Sequence, residues 1–141
     1  MTRALCLVGA GLLLLFAASA TRVPPASAAF IDCPVLGVCI GTDDPDDMNG
    51  TDGYDEIRGK EGGDNLHGYG SGDDLYGGRG PDVLVGDGGD DAVHGFDGAD
   101  ELRIASDESG GDFADCGDGQ DEVWADPGDA VSPDCEVVHI L

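Results

Sequence analysis

Seven aspartates recur at intervals of nine residues: Asp46, Asp55, Asp64, Asp73, Asp82, Asp91 and Asp100. A carboxylate can act as a hard oxygen ligand for a cation, as a general base, or as one half of an acid–base pair. The surroundings decide between these chemistries. Each of the seven has a glycine five residues earlier: Gly41, Gly50, Gly59, Gly68, Gly77, Gly86 and Gly95. Each has an apolar residue two positions later: Met48, Ile57, Leu66, Leu75, Leu84, Val93 and Leu102. Written in nines, Gly41 to Arg103 reads GTDDPDDMN, GTDGYDEIR, GKEGGDNLH, GYGSGDDLY, GGRGPDVLV, GDGGDDAVH and GFDGADELR. Gly holds position 1, Asp position 6 and an apolar residue position 8. Three columns in one phase over consecutive blocks define a repeat.

A nine-residue unit with one dependable apolar residue cannot bury a core alone, so the units must stack on one another. Positions 7 to 9 are expected to form a three-residue strand whose middle side chain points inward. Positions 1 to 6 are expected to form a turn, with Gly at position 1 and commonly at position 4 supplying positive φ. Two blocks then make one coil with a strand on each face. Residues eighteen apart lie one above the other, about 4.8 Å apart by the usual strand spacing.

Stacking places the position-6 carboxylates in ladders, where like charges repel unless something neutralises them. Asp oxygens and turn carbonyls suit Ca²⁺, which takes about six to eight oxygen ligands in flexible geometry. An ion between each turn and the turn two blocks on would remove the repulsion. Seven blocks offer 7 − 2 = 5 such positions.

On these residues the chain resembles the hemolysin-type (repeats-in-toxin) calcium-binding nonapeptide family, whose motif is GGxGxDxUx. GGRGPDVLV, residues 77–85, fits every specified position. The other blocks depart at position 2, where only Gly78 supplies the second Gly, and the first and fourth carry Asp44 and Ser71 at position 4. The resemblance covers Gly41 to Arg103 and continues more weakly to Trp124. It implies an all-β parallel β-roll, a right-handed β-solenoid, holding a row of Ca²⁺ ions.

The flanks complete the expected organisation. Residues 1–28 combine Arg3 with an apolar run, Ala4 to Ala18, and small residues that allow cleavage after Ala20 or Ala28, as in a secretory signal. Removal at Ala28 leaves thirty acidic and four basic side chains, a balance of 4 − 30 = −26. That charge argues against nucleic acid and anionic membranes as partners and for cations. Residues 29–40 are expected to cap the first coil. After Arg103 the phase slips by three residues and returns as DESGGDFAD and CGDGQDEVW. These place Asp112 and Asp121 at position 6, Ala114 and Val123 at position 8, and Gly110 and Gly119 at position 4. Residues 104–141 therefore read as degenerate repeats plus a C-terminal cap, with an Asp129-x-Val131 echo and a closing apolar strand, Val137 to Leu141. The metal ligands expected are Asp46, Asp55, Asp64, Asp73, Asp82, Asp91, Asp100, Asp112 and Asp121.

Cys33, Cys39, Cys116 and Cys135 remain after the signal, an even count that favours disulfides in an exported chain. Three pairings are open. Cys33–Cys39 with Cys116–Cys135, one staple at each end, is the most economical.

No catalytic arrangement emerges, and the chain does not read as an enzyme. His67 and His94 share position 9 but stand three blocks apart, which places them on opposite faces. His139 lies in the tail. Asp is so frequent that two close carboxylates cannot signal acid–base catalysis. An EF-hand fails because Asp52 stands where the loop requires Gly. Asn49-Gly50-Thr51 is a glycosylation sequon in form only. Tyr76 and Trp124 at position 9 face outward, whereas Tyr54, Tyr69 and Phe96 fall in turns. Trp124 makes an extracellular protein or carbohydrate the expected partner class. The expectation is a secreted Ca²⁺-binding repeat protein with a structural or surface-interaction role. The alternative is a Ca²⁺-dependent stabilising or docking module of a secreted enzyme system.

Overall fold

The computed structural model describes residues 29–34, 37–105 and 111–141. The signal reading of residues 1–28 and the position-4 assignment of Gly110 lie outside the described residues.

Thirteen strands account for the fold among the described residues. In chain order they are β1 (Ala29–Asp32), β2 (Val38–Ile40), β3 (Asp46–Asn49), β4 (Glu56–Glu61) and β5 (Asn65–Gly70). Then come β6 (Asp74–Arg79), β7 (Val83–Gly88), β8 (Ala92–Gly98) and β9 (Glu101–Arg103). The last four are β10 (Phe113–Gly119), β11 (Glu122–Ala125), β12 (Ala130–Val131) and β13 (Val137–Ile140). They alternate between two parallel sheets, ordered β1-β3-β5-β7-β9-β11-β13 and β12-β10-β8-β6-β4-β2. This is a β-solenoid with two blocks per coil.

The register follows the repeat. Leu66 lies against Leu84, and Leu84 against Leu102, each eighteen residues on. Beyond the slip the interval becomes twenty-one, with Val93 against Ala114 and Leu102 against Val123. The three extra residues therefore leave the inward column intact. All nine position-8 side chains from Met48 to Val123 are fully buried. The core is two facing apolar ladders, one from each sheet.

Three local features differ from the expectation. The strands of the middle blocks run on from position 7 through position 3 of the next block, as in β5, β6 and β7, which leaves only positions 4 to 6 as the turn. Tyr69 and Phe96 accordingly sit in strands, not turns. Positive φ falls at position 2, in Lys60, Tyr69, Gly78, Asp87 and Phe96, and at position 4, in Gly62, Ser71, Gly80 and Gly89. Position 1 needs Gly for another reason. A Cβ on Gly77 would stand 2.5 Å from Oδ2 of Asp82 and 2.9 Å from the carbonyl of Gly95. Crowding by its own block's carboxylate and by the next coil excludes a side chain there.

The ends close by continuing the stack. Residues 29–40 supply β1 and β2, with Ile31 beside Met48 and Cys39 beside Ile57 on the inward column. At the other end β13 pairs with β11, placing Val138 against Val123. The two expected disulfides are present. Cys33–Cys39 links the start and Cys116–Cys135 the finish, with Cα separations of 5.3 and 5.2 Å.

Candidate metal centre: the internal carboxylate ladders

All nine position-6 aspartates are at most 3% exposed, so every candidate ligand read from the sequence lies inside the roll. They form two rows. In one, the amide of Asp46 donates to Oδ1 of Asp64 (2.8 Å), Asp64 to Asp82 (2.7 Å), Asp82 to Asp100 (2.8 Å) and Asp100 to Asp121 (2.8 Å). In the other, Asp55 donates to Asp73 (2.7 Å), Asp73 to Asp91 (2.8 Å) and Asp91 to Asp112 (2.7 Å). Each carboxylate from Asp64 to Asp121 thus accepts from the backbone of the coil before it, a bond that favours its charged form, whereas Oδ1 of Asp55 is buried without a hydrogen-bond partner.

Two further acids extend the rows. The amide of Asp112 donates to Oδ1 of Asp129 at 3.3 Å, and that of Asp121 donates to Oε2 of Glu136 at 2.9 Å. The echo at Asp129 pointed to the first. Glu136 escaped the sequence reading because it replaces Asp by Glu at a shortened interval, although Glu136-x-Val138 repeats the Asp-x-apolar signature.

The second oxygen of each carboxylate separates the early blocks from the rest. Thr42 donates its amide to Oδ2 of Asp46 at 2.5 Å, and Thr51 donates its amide to Oδ2 of Asp55 at 2.6 Å. Both Thr hydroxyls add a second bond to the same oxygen. Later blocks lack Thr at position 2. Oδ2 of Asp64, Asp73, Asp82, Asp100 and Asp121 is buried without a hydrogen-bond partner. At Gly59, Gly68, Gly77 and Gly95 this oxygen converges with a main-chain carbonyl oxygen of the next coil.

Burial makes these groups poor anions in the bare protein. Desolvation pushes Asp73 and Asp82 up to about 7 and Asp100 to about 6. The stacked amide pulls each one down, and like charges in the ladder raise it further. Asp64 and Asp121 move the same way for the same leading cause. A buried carboxylate oxygen with no donor carries a large free-energy cost, which a proton or a cation offsets.

The donor set suits a hard cation. Its oxygens are carboxylate and carbonyl; at the first block Sδ of Met48 also lies beside Oδ2 of Asp46, at Gly41. Among the described residues no three acidic, His or Cys side chains cluster at one point. A cation here must therefore draw on the main-chain carbonyls as well as the Asp rows. The histidines lie outside: His67 on β5 and His94 on β8 belong to different sheets, and His139 on β13 stacks on Trp124 with ring centroids 5.0 Å apart.

The fold and site define an all-parallel two-sheet solenoid with internal carboxylate ladders. No protein-family model, curated protein or solved structure gives a significant match to the chain.

Proposed function

We propose that this chain is a secreted calcium-binding β-roll whose folding is coupled to the metal. The observation that carries the reading is the set of buried, unpartnered Oδ2 atoms of Asp64, Asp73, Asp82, Asp100 and Asp121. Bare, these oxygens oppose the fold. A divalent cation supplies charge neutralisation and a shared centre for oxygens of successive coils. Asp46, Asp55, Asp64, Asp73, Asp82, Asp91, Asp100, Asp112 and Asp121 would hold the ions together with turn carbonyls. Asp46 has both oxygens satisfied, by Thr42 and the amide of Ala29, whereas Asp55 keeps a bare Oδ1, so the weakest site falls at Asp46.

Residues 1–28 act as the export signal in this reading, and residues 29–40 and 104–141 cap the seven repeats of 41–103. The similarity of the repeats to the hemolysin-type nonapeptide supports it, as do two disulfides, which persist best in oxidising compartments. Metal-binding energy becomes folding energy. Extracellular Ca²⁺ sites commonly work at about 10⁻⁴ to 10⁻³ M, so the chain would fold after export. The role is structural and interactive, without catalysis. Ca²⁺ titration of the metal-free chain, followed by circular dichroism, tests the reading.

A further inference from the structure

Asp46 differs from the later position-6 aspartates in what is stacked on it. From Asp64 onward the residue stacked on each carboxylate is itself a position-6 Asp, whose amide donates at 2.7–2.8 Å. On Asp46 the stacked residue is Ala29, the first of β1. Its nitrogen stands 3.2 Å from Oδ1 of Asp46. Oδ2 takes the amide and the hydroxyl of Thr42. The other row starts differently, at Asp55, whose Oδ1 has no partner, so a nitrogen on the first carboxylate is not automatic.

Asp46 is 3% exposed and has donors for both oxygens, yet no positive charge reaches it. Among the described residues every ion pair engages another acid. A buried anion held by neutral donors alone remains costly. The sequence offers the missing charge at the same nitrogen. Ala26-Ser27-Ala28 puts small residues three and one positions before Ala29, the pattern that a signal-processing endopeptidase cuts. Hydrolysis breaks the C–N bond between Ala28 and Ala29. Water gives its hydroxyl to the carbonyl carbon of Ala28 and a hydrogen to the nitrogen of Ala29. One more proton from solvent makes that nitrogen an ammonium, the ordinary state of an α-amino group at neutral pH.

We propose that the chain is cut before Ala29 and that the freed α-ammonium is the resident cation of the first rung, paired with Asp46 where later rungs take a metal. The inference rests on the export reading of residues 1–28. β1 is the outermost strand of its sheet, so a charge on its first residue closes the end of the Asp row. The rival cut after Ala20 leaves 28 − 20 = 8 residues ahead of β1. Ala29 then keeps a neutral amide, and the new charge lies away from Asp46.

The test exports the full chain from a secreting bacterial host and reads the N-terminus of the mature protein by mass spectrometry. A start at Ala29 is expected. A start at Thr21 would overturn the inference and leave the export reading standing, whereas an uncut chain would overturn both. The mature protein is then transaminated with pyridoxal phosphate, which turns an N-terminal amine into a ketone without adding bulk. Loss of a charge pair made only in the folded state should raise the Ca²⁺ midpoint for folding at least about threefold. The same treatment should leave the midpoint of Asp46→Asn unchanged, because the partner is gone. Thr42→Ala keeps the carboxylate, and its response to the treatment reports the pair even where Asp46→Asn does not fold. Equal midpoints before and after treatment, in a parent chain that still folds on Ca²⁺, would overturn the ammonium pair and leave the metal reading intact. If folding ignores Ca²⁺, the metal reading fails, and an unchanged melting temperature on treatment overturns the pair instead.

Discussion

The amide of Asp64 donates to Oδ1 of Asp82, eighteen residues on, at 2.7 Å. The bond joins successive coils through a side chain rather than through the strand ladder. It also fixes the carboxylate so that its other oxygen faces the crowded backbone at Gly77, without a donor. One residue thus serves as a staple between coils and as a source of buried charge.

Replacing Asp82 by Asn therefore differs from replacing Asp87, although both changes remove one negative charge. Asp87 is a surface residue at φ 67°, a conformation Asn accepts, and its contact with His67 is 3.6 Å long. Asp82→Asn should raise the Ca²⁺ concentration needed for folding and reduce cooperativity. Asp87→Asn should leave the midpoint nearly unchanged. Calcium titrations followed by circular dichroism check the pair, and equal midpoints would mean that net charge alone governs folding.

The apolar column gives a parallel contrast. Leu84 is fully buried between Leu66 and Leu102, whereas Val83 is only partly covered. Leu84→Ala should cost about 2–5 kcal/mol in denaturant unfolding with Ca²⁺ present, as buried Leu truncations do. Val83→Ala should cost under about 1 kcal/mol.

Backbone conformation at position 4 supplies a third test. Ser71 has φ 73° where the neighbouring blocks place Gly, so Ser71→Gly should stabilise the roll by about 1 kcal/mol. Gly80 has φ 117°, and a Cβ there would strike the carbonyl of Gly62. Gly80→Ala should therefore be strongly destabilising. Thermal melts of the two variants in Ca²⁺ should move in opposite directions.

The repeat was legible because three columns had to agree. Position 8 marks the core, position 6 the ladders, and the 18-residue register follows from two blocks per coil. The three-residue slip after Arg103 left the columns in phase, as the twenty-one-residue register across it shows. Other features were hidden for physical reasons. Gly at position 1 gives the same sequence signal whether it supplies positive φ or avoids crowding, and only the stacked coil distinguishes the two. The satisfied Oδ2 atoms of Asp46 and Asp55 depend on Thr42 and Thr51 donating to the residue four positions ahead.

The raised carboxyls of Asp73, Asp82 and Asp100 set a pH dependence for the metal-free chain. Their folded values of about 7, 7 and 6 lie above the unfolded value of about 4. The folded state therefore binds more protons. Stability from these groups is fully present below about pH 4 and is lost as pH rises through 6 to 7. Acidifying the metal-free chain from pH 8 to pH 5 should restore β signal. With Ca²⁺ present the same change should weaken the fold, because protons then compete with the ion. Melting temperatures measured at both pH values, with and without Ca²⁺, check the reversal.

Metal-coupled folding is tested most directly by circular dichroism of the chelator-treated chain at pH 7.5. Little β signal is expected before addition. Ca²⁺ should produce a cooperative rise with a midpoint of about 10⁻⁴ to 10⁻³ M, and equal Mg²⁺ should do so poorly, since its tighter octahedral geometry suits flexible carbonyl cages less well. A chain with the same β signal and the same melting temperature in chelator as in millimolar Ca²⁺ would contradict it.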